Sequence, residues 1–263
     1  MADPEVLLAA YDSQMRMAEA AHLAPGVSTR RDGPIMRIVG QHRGFISSPS
    51  DLGLEEDELD ALIARQRDFF AARGEAVEWK TRGYDRPANI VPRLLAAGFV
   101  AEERETVMIG VAADMARPPA PVPSGLALRQ TRDDGDMGRI AAMESEVWGH
   151  DMDWMAADLI GRVQSDPDQI AVFVAEAGDQ VVAAAWLVLR PGTEFAGLWG
   201  GSTRAAWRGR GLYRALVARR AQRAVERGVR LLQVDASDDS RPILERLGFV
   251  AVTSTTPYVW TPA

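Results

Sequence analysis

The chain contains no cysteine, which excludes disulfides, thiolate metal sites and a cysteine nucleophile. Its three histidines, His22, His42 and His150, stand far apart, so none are paired at the spacing that turns two imidazoles toward one metal. No metal is expected. Lysine is nearly missing too: Lys80 is the only one among 30 basic residues. With arginine as the default cation, a single arginine says little about chemistry. No apolar run approaches the ~18 residues of a membrane helix, and the opening MADPEVLLAAYDS is acidic where a secretion signal is basic. A cytoplasmic protein with no membrane partner is expected. The formal net charge of -7 argues against nucleic acid as the main partner. Neither a P-loop string nor a GxGxxG with an acidic residue about twenty positions on is present, which sets aside those two phosphate-binding folds.

What is present is a soluble composition, 47% hydrophobic and 25% charged, long enough for one large domain or two small ones. The boundary is marked by ARPPAPVPS, Ala116 to Ser124, where four prolines make a stiff connector. It separates residues 1–115 from residues 125–263. The second part alternates. A strand is expected at Gly125 to Gln130, helices at Asp133 to Trp148 and Trp154 to Gln164, and a hairpin from Ile170 to Leu189 around AGDQ. A glycine-rich strand at Phe195 to Thr203 leads to a helix at Leu212 to Arg227, which Gly228 ends. A buried strand at Arg230 to Ser237, a short helix at Ser240 to Leu247 and a closing pair of strands in GFVAVTSTTPYVW complete the pattern.

The two parts resemble each other. ALIARQRDFFAARG (Ala61 to Gly74) matches ALVARRAQRAVERG (Ala215 to Gly228), and PRLLAAGFV (Pro92 to Val100) matches PILERLGFV (Pro242 to Val250), in the same order with strands between. A duplication explains both matches together.

The segment RGRGLY, Arg208 to Tyr213, lies between a strand and a helix. Gly209 and Gly211 allow close backbone approach and positive φ. Free N–H groups at the helix start, including those of Leu212 and Tyr213, face the same point as the positive end of the helix dipole. Arg208 and Arg210 add guanidinium donors suited to phosphate. A pyrophosphate cradle is the expectation, set against an arginine-rich surface turn. The matching stretch of the first part is LEEDEL, Leu54 to Leu59, whose four carboxylates would repel a pyrophosphate. One cradle per chain is therefore expected. In the first part EWKTRGYDRP, Glu78 to Pro87, carries a polar cluster that suits a solvated loop better than a site.

With its strand and helix order, this motif resembles the GNAT superfamily of N-acetyltransferases, whose loop reads Arg/Gln-x-x-Gly-x-Gly/Ala. Arg208, Gly211 and Tyr213 take those places, and LERLGF resembles the family's later motif. The resemblance implies an α/β (α+β) fold of two GNAT-like halves, each a central mixed sheet flanked by helices, with the C-terminal one complete. It also implies acetyl-CoA as co-substrate and transfer of an acetyl group to a small-molecule or peptide amine. Backbone groups of Gly201 and Thr203 would hold the pantetheine arm, and Ser237 stands at the family's asparagine position. A carboxylate near the start of the fourth strand serves many relatives as base. Glu194 stands there, with a solvated strand mouth as the alternative. The tyrosine that protonates the departing thiolate is Leu244 here, so Tyr258 and Tyr213 become the phenols to consider. Glu144, Glu146 and Asp153, beside Trp148 and Trp154, would shape an acceptor pocket unless the tryptophans only pack the core. The missing tyrosine leaves a second reading open, an acyl-CoA-binding sensor or scaffold with little turnover.

Overall fold

The computed structural model describes residues 3–17, 23–117, 122 and 124–262. His22 and most of the proline-rich stretch lie outside them. The first half contributes α1 (Pro4–Gln14), β1 (Ser28–Asp32), β2 (Ile35–Val39), β3 (Gly44–Ser47), α2 (Glu56–Ala71), β4 (Val77–Arg82), α3 (Ile90–Ala96), β5 (Val100–Ala101), β6 (Glu105–Val111) and α4 (Ala112–Met115). The second contributes β7 (Ala127–Thr131), α5 (Asp134–Trp148), α6 (Trp154–Ser165), β8 (Ile170–Ala177), β9 (Gln180–Leu189), β10 (Phe195–Thr203), α7 (Leu212–Glu226), β11 (Leu231–Ala236), α8 (Arg241–Leu247) and β12 (Val250–Trp260).

Local chemistry sets most boundaries. The Asp133 carboxylate accepts from the Asp136 N–H and caps α5, which stops where Gly149 turns left-handed. The apolar runs of β8 and β9 pair antiparallel around a tight turn containing Gly178. In the first half the acidic stretch LEEDEL becomes the entry to α2, with Glu56, Asp57 and Glu58 in its first turn. Carboxylates there oppose the positive helix end favourably, so the sequence that repels phosphate also supports the helix.

Among the described residues the twelve strands form one sheet in the order β1-β2-β3-β4-β12-β6-β11-β10-β9-β8-β7, with β5 beside β12. The last strand of each half has crossed into the other. β6 lies antiparallel on β11 from Leu231↔Val111 to Ala236↔Thr106, and β12 lies antiparallel on β4 from Thr255↔Arg82 to Trp260↔Val77. The PRLLAAGFV and PILERLGFV segments are 150 positions apart (242 − 92). Shifting the β12–β6 pair Val250↔Ile109 by that offset gives Val100↔Val259, which is the observed β5–β12 pair. The junction is thus built twice from the same contacts.

GFVAVTSTTPYVW therefore forms one long strand, not the expected pair. It holds no glycine or asparagine pair to reverse the chain. A bulge between Ala251 and Thr253 re-aims it from β6 toward β4 instead.

Four apolar clusters hold the layers. One packs α7 and α8 on one face of the second half's strands, through Leu198, Leu212, Leu216 and Leu244. A second packs α5 and α6 on the opposite face, through Met137, Ile140, Leu159 and Trp186. A third fills the first half around Trp79 and Phe70. The fourth joins Leu7 and Tyr11 of α1 to Phe195 of β10 and Leu231 of β11, so the first half's leading helix covers part of the second half's sheet.

Candidate functional site: a splayed strand pair beside a glycine loop

Strands β10 and β11 run parallel for three rungs only, Phe195↔Leu231, Ala196↔Leu232 and Gly197↔Gln233. Beyond Gly197 each keeps its outer partner, β10 pairing β9 as far as Thr203 and β11 pairing β6 as far as Ala236. The two strands therefore open into a wedge with its vertex at Gly197 and its mouth at the C-terminal ends. A bulge between Gly200 and Ser202 interrupts β10 halfway along. Gly200 and Gly201 both take positive φ there, and a Cβ on Gly200 would collide with the Trp186 ring at 2.5 Å.

RGRGLY sits at the wedge mouth. Gly209 (φ 73) and Gly211 (φ 82) face open space, so backbone conformation and not crowding calls for glycine. Among the described residues, the backbone N–H groups from Gly209 to Arg214 meet no acceptor. Arg208 donates through Nε to the Thr203 carbonyl (3.1 Å), and Arg210 lies over the Trp207 ring at 4.6 Å. Neither arginine is paired with a carboxylate among the described residues. The Thr203 hydroxyl oxygen is buried without a partner. Six free N–H groups, two uncompensated guanidinium groups and an orphaned hydroxyl fit a pyrophosphate-bearing ligand.

Residues 136–249 match the acetyltransferase (GNAT) family. That stretch is a GNAT acetyltransferase domain. Solved structures share the fold across both halves. A GCN5-related N-acetyltransferase from Kribbella flavida has 15% identity and a TM-score of 0.66, covering 99% of this chain and 94% of that one. A conserved protein of unknown function from Staphylococcus epidermidis has 10% identity and a TM-score of 0.65, covering 93% of this chain and 96% of that one. A tandem GNAT protein from the clavulanic acid biosynthesis pathway has 13% identity and a TM-score of 0.63, with coverage of 98% and 95%. At such identities the likeness is one of fold, and the fold is two GNAT-like halves in one chain. No curated protein sequence matches it.

Within the GNAT domain, Tyr213 crosses the wedge. A Cβ on Gly201 would touch its ring at 3.0 Å, and its hydroxyl lies toward Ser240 at the entry to α8. Burial raises the phenol above its ordinary value. Ser237, at the end of β11, donates to Ser240 Oγ (3.2 Å) and so belongs to the same wall. Leu244 is fully buried. Beside Tyr213 lies Arg220, 1% exposed, donating to the Leu216 carbonyl (3.2 Å) and to the Trp199 carbonyl of β10 (3.1 Å). Burial lowers it to about 10, so it stays charged at neutral pH without a carboxylate partner. A sequence signal existed for it: Arg220 interrupts the apolar stripe Leu212, Leu216, Ala224 at four-residue spacing.

Two expected catalytic residues lie elsewhere. Glu194 stands at the closed end of the wedge, the far end of β10 from the loop. It pairs with Arg230 (3.0 Å) and takes a bond from Gln14 of α1 (3.1 Å). Arg230, then Gln14, hold its carboxyl down to about 2, a value suited to an ion pair and unsuited to taking a proton. Tyr258 pairs with Trp79 and belongs to the core of the first half, where burial raises its phenol. The strand exchange carries it there. Among the described residues no group of three candidate ligands could hold a metal, and no helix is long and apolar enough to cross a membrane.

The face of the wedge opposite α7 and α8 is built by both halves. Lys80 of β4 donates to Asp235 of β11 (2.7 Å) and Glu105 of β6 (3.0 Å). Burial pulls its ammonium down, and Asp235, Glu105 and Glu78 more than reverse that. EWKTRGYDRP thus opens inside the strand expected after ALIARQRDFFAARG, where Glu78 and Thr81 are buried, and only its residues past Arg82 leave the sheet. On the other wall of the wedge, Glu144 of α5 takes bonds at Oε2 from Ser202 Oγ (2.5 Å) and Trp148 Nε1 (2.8 Å). Glu146 is spent on an ion pair with Arg204, and Asp153 stands at the start of α6. Trp154 stacks on His42 of the first half at 4.3 Å.

The first half has the same strand pair without the opening. β3 and β4 run parallel at Gly44↔Val77, Phe45↔Glu78 and Ile46↔Trp79. Farther along, Arg86 N–H donates to the Ser50 carbonyl (2.8 Å), and Leu52 N–H donates to the Arg86 carbonyl (3.0 Å), which closes the gap. Inside it sits Arg16, donating to the carbonyls of Ser48 (3.0 Å) and Pro49 (2.9 Å) and to Asp85 (2.6 Å). Replacing Arg16 by methionine is expected to lower stability by about 3–5 kcal/mol in denaturant unfolding, because Asp85 would remain buried without its cation. It should open no second ligand site, and a second equivalent of bound acetyl-CoA would contradict this.

Proposed function

We propose that the chain is an acetyl-CoA-dependent N-acyltransferase with one site per chain, acting on a primary amine of a small molecule or peptide. The wedge between β10 and β11, with the glycine loop at its mouth, carries this reading. The first half, residues 1–115, is a duplicated copy that has lost its site, joined through 116–124 to the domain at 125–263. A cysteine-free, acidic composition fits the cytoplasm.

Acetyl-CoA would supply an activated acyl thioester. Arg208, Arg210 and the N–H groups of Gly209, Gly211, Leu212 and Tyr213 would take its pyrophosphate, and backbone groups of Gly201 and Thr203 its pantetheine arm. Ser237 and Tyr213 would form the opposite wall. Attack needs a neutral amine, so a proton must leave it first. On the α7 side of the wedge, Tyr213 holds a proton on its hydroxyl, and Arg220 keeps a positive charge beside it. Together they offer what Leu244 cannot: a proton donor and a cation to offset negative charge developing near the vertex.

Titration calorimetry with acetyl-CoA tests the first part, with one equivalent per chain expected. Thiol release against a panel of primary amines tests the second. A buried leucine at position 244 favours one other outcome, a sensor or scaffold that binds acetyl-CoA saturably yet releases no thiol when amine is added.

A further inference from the structure

Glu144 is 1% exposed, and its Oε1 atom is buried with no partner at all. Its other oxygen is satisfied by Ser202 and Trp148, both neutral donors. No arginine, lysine or histidine among the described residues forms an ion pair with it. A carboxylate in that setting normally acquires a cation or gives up its charge. Burial does push the Glu144 carboxyl upward, against the pull of Ser202 and Trp148. Arginine is abundant in this chain, and Glu146, two positions on, has one. The missing partner is therefore a property of the site.

The surroundings show what kind of cation fits. Two of the few large apolar side chains left exposed are Trp148 (55%) and Trp199 (45%). Trp148 touches Glu144 directly and also reaches Ser202 (3.2 Å). Trp199 pairs across the sheet with Trp186, which packs under α5 and α6, so both tryptophans lie on the face that α5 covers. The indole of Trp199 folds back along β10: a Cβ on Gly197 would meet its Nε1 at 2.7 Å. It therefore lies over the last rung before the strands part. A half-exposed indole at the vertex, a second at the carboxyl group, and an orphaned acidic oxygen make a site with aromatic walls and an acid that a cation would hold ionised.

We propose that Glu144, Trp148 and Trp199 form the acceptor subsite, taking a primary ammonium ion on an apolar or aromatic body. Oε1 receives the ammonium N–H, and the indole surfaces cover the body. This deepens the acyltransferase reading and rests on it for the identity of the bound amine as acceptor. The binding claim itself does not require turnover.

The test uses the full chain and three probes, 2-phenylethylammonium, cyclohexylmethylammonium and n-hexylammonium, each beside its uncharged alcohol. Tryptophan fluorescence and calorimetry read binding. At least one ammonium ion is expected to bind saturably and its alcohol at least about tenfold more weakly, since a charge-assisted hydrogen bond is roughly twice as strong as a neutral one. Glu144→Gln, which keeps the shape, should weaken the ion about 10- to 100-fold, and Trp199→Ala, at a half-exposed position, roughly 5- to 30-fold. Both variants should bind acetyl-CoA as the parent does. Equal binding of ion and alcohol, indifference to both substitutions, or no binding of any ammonium ion overturns the subsite. Failure to bind acetyl-CoA with the ammonium sites intact would instead overturn the acyltransferase reading.

Discussion

A chain carrying both Arg208→Ala and Arg210→Ala should bind acetyl-CoA at least about a hundredfold more weakly than the parent. Each guanidinium is placed to give charge-assisted hydrogen bonds to phosphate, worth roughly 1.5–3 kcal/mol apiece, and 1.4 kcal/mol is a factor of ten. Neither arginine is engaged by a carboxylate among the described residues, so neither has to break an ion pair in order to bind. The fold should be indifferent, because both side chains are exposed and lie outside the apolar clusters. The parent's affinity should fall with added salt, and the double variant's should fall less. An affinity within threefold of the parent would mean that the loop does not hold the phosphates.

The second large effect concerns autonomy. The second half produced alone, as residues 124–263, should yield no folded monomer. Every sheet partner of β12 (β4, β5 and β6) belongs to the first half, and β11 would lose its six rungs to β6. The edge of β11 left open by the loss of β6 is a template for association. Because the junction repeats with a 150-residue offset, two isolated second halves could trade β12 strands much as the halves trade β6 and β12 here. Light scattering should therefore report dimers or aggregates, with co-production of residues 1–117 restoring the native size. A folded monomer with the parent's affinity for acetyl-CoA would show that the exchange is dispensable.

Features set by nearby residues were legible in the sequence. β8 and β10 run over the spans read from their apolar runs, Ile170 to Ala177 and Phe195 to Thr203, because turn residues flank them. The loop stands where two positive-φ glycines had to be. Features that depend on distant pairing were not legible. The pattern of β12 is that of a strand whoever its neighbours are, so nothing in it announces that Tyr258 lies in the other half's core. Glu194 adjoins β10 in sequence, but a strand of nine residues puts its two ends about 30 Å apart, and the loop takes the other end. Glu144 and Lys80 depend on partners 58 and 155 positions away, Ser202 and Asp235, which no local pattern contains.

The exchanged strands also impose an order of events on synthesis. Thr81 of β4 and Thr255 of β12 are 174 positions apart and bonded to each other through the Thr255 hydroxyl. While a ribosome adds roughly 5–20 residues per second, the first half waits many seconds with β4 open on one side. Nor can β6 find its place until β11 has emerged. Neither half can finish folding ahead of the other, so the nascent chain carries two raw sheet edges until β12 arrives to close both at once.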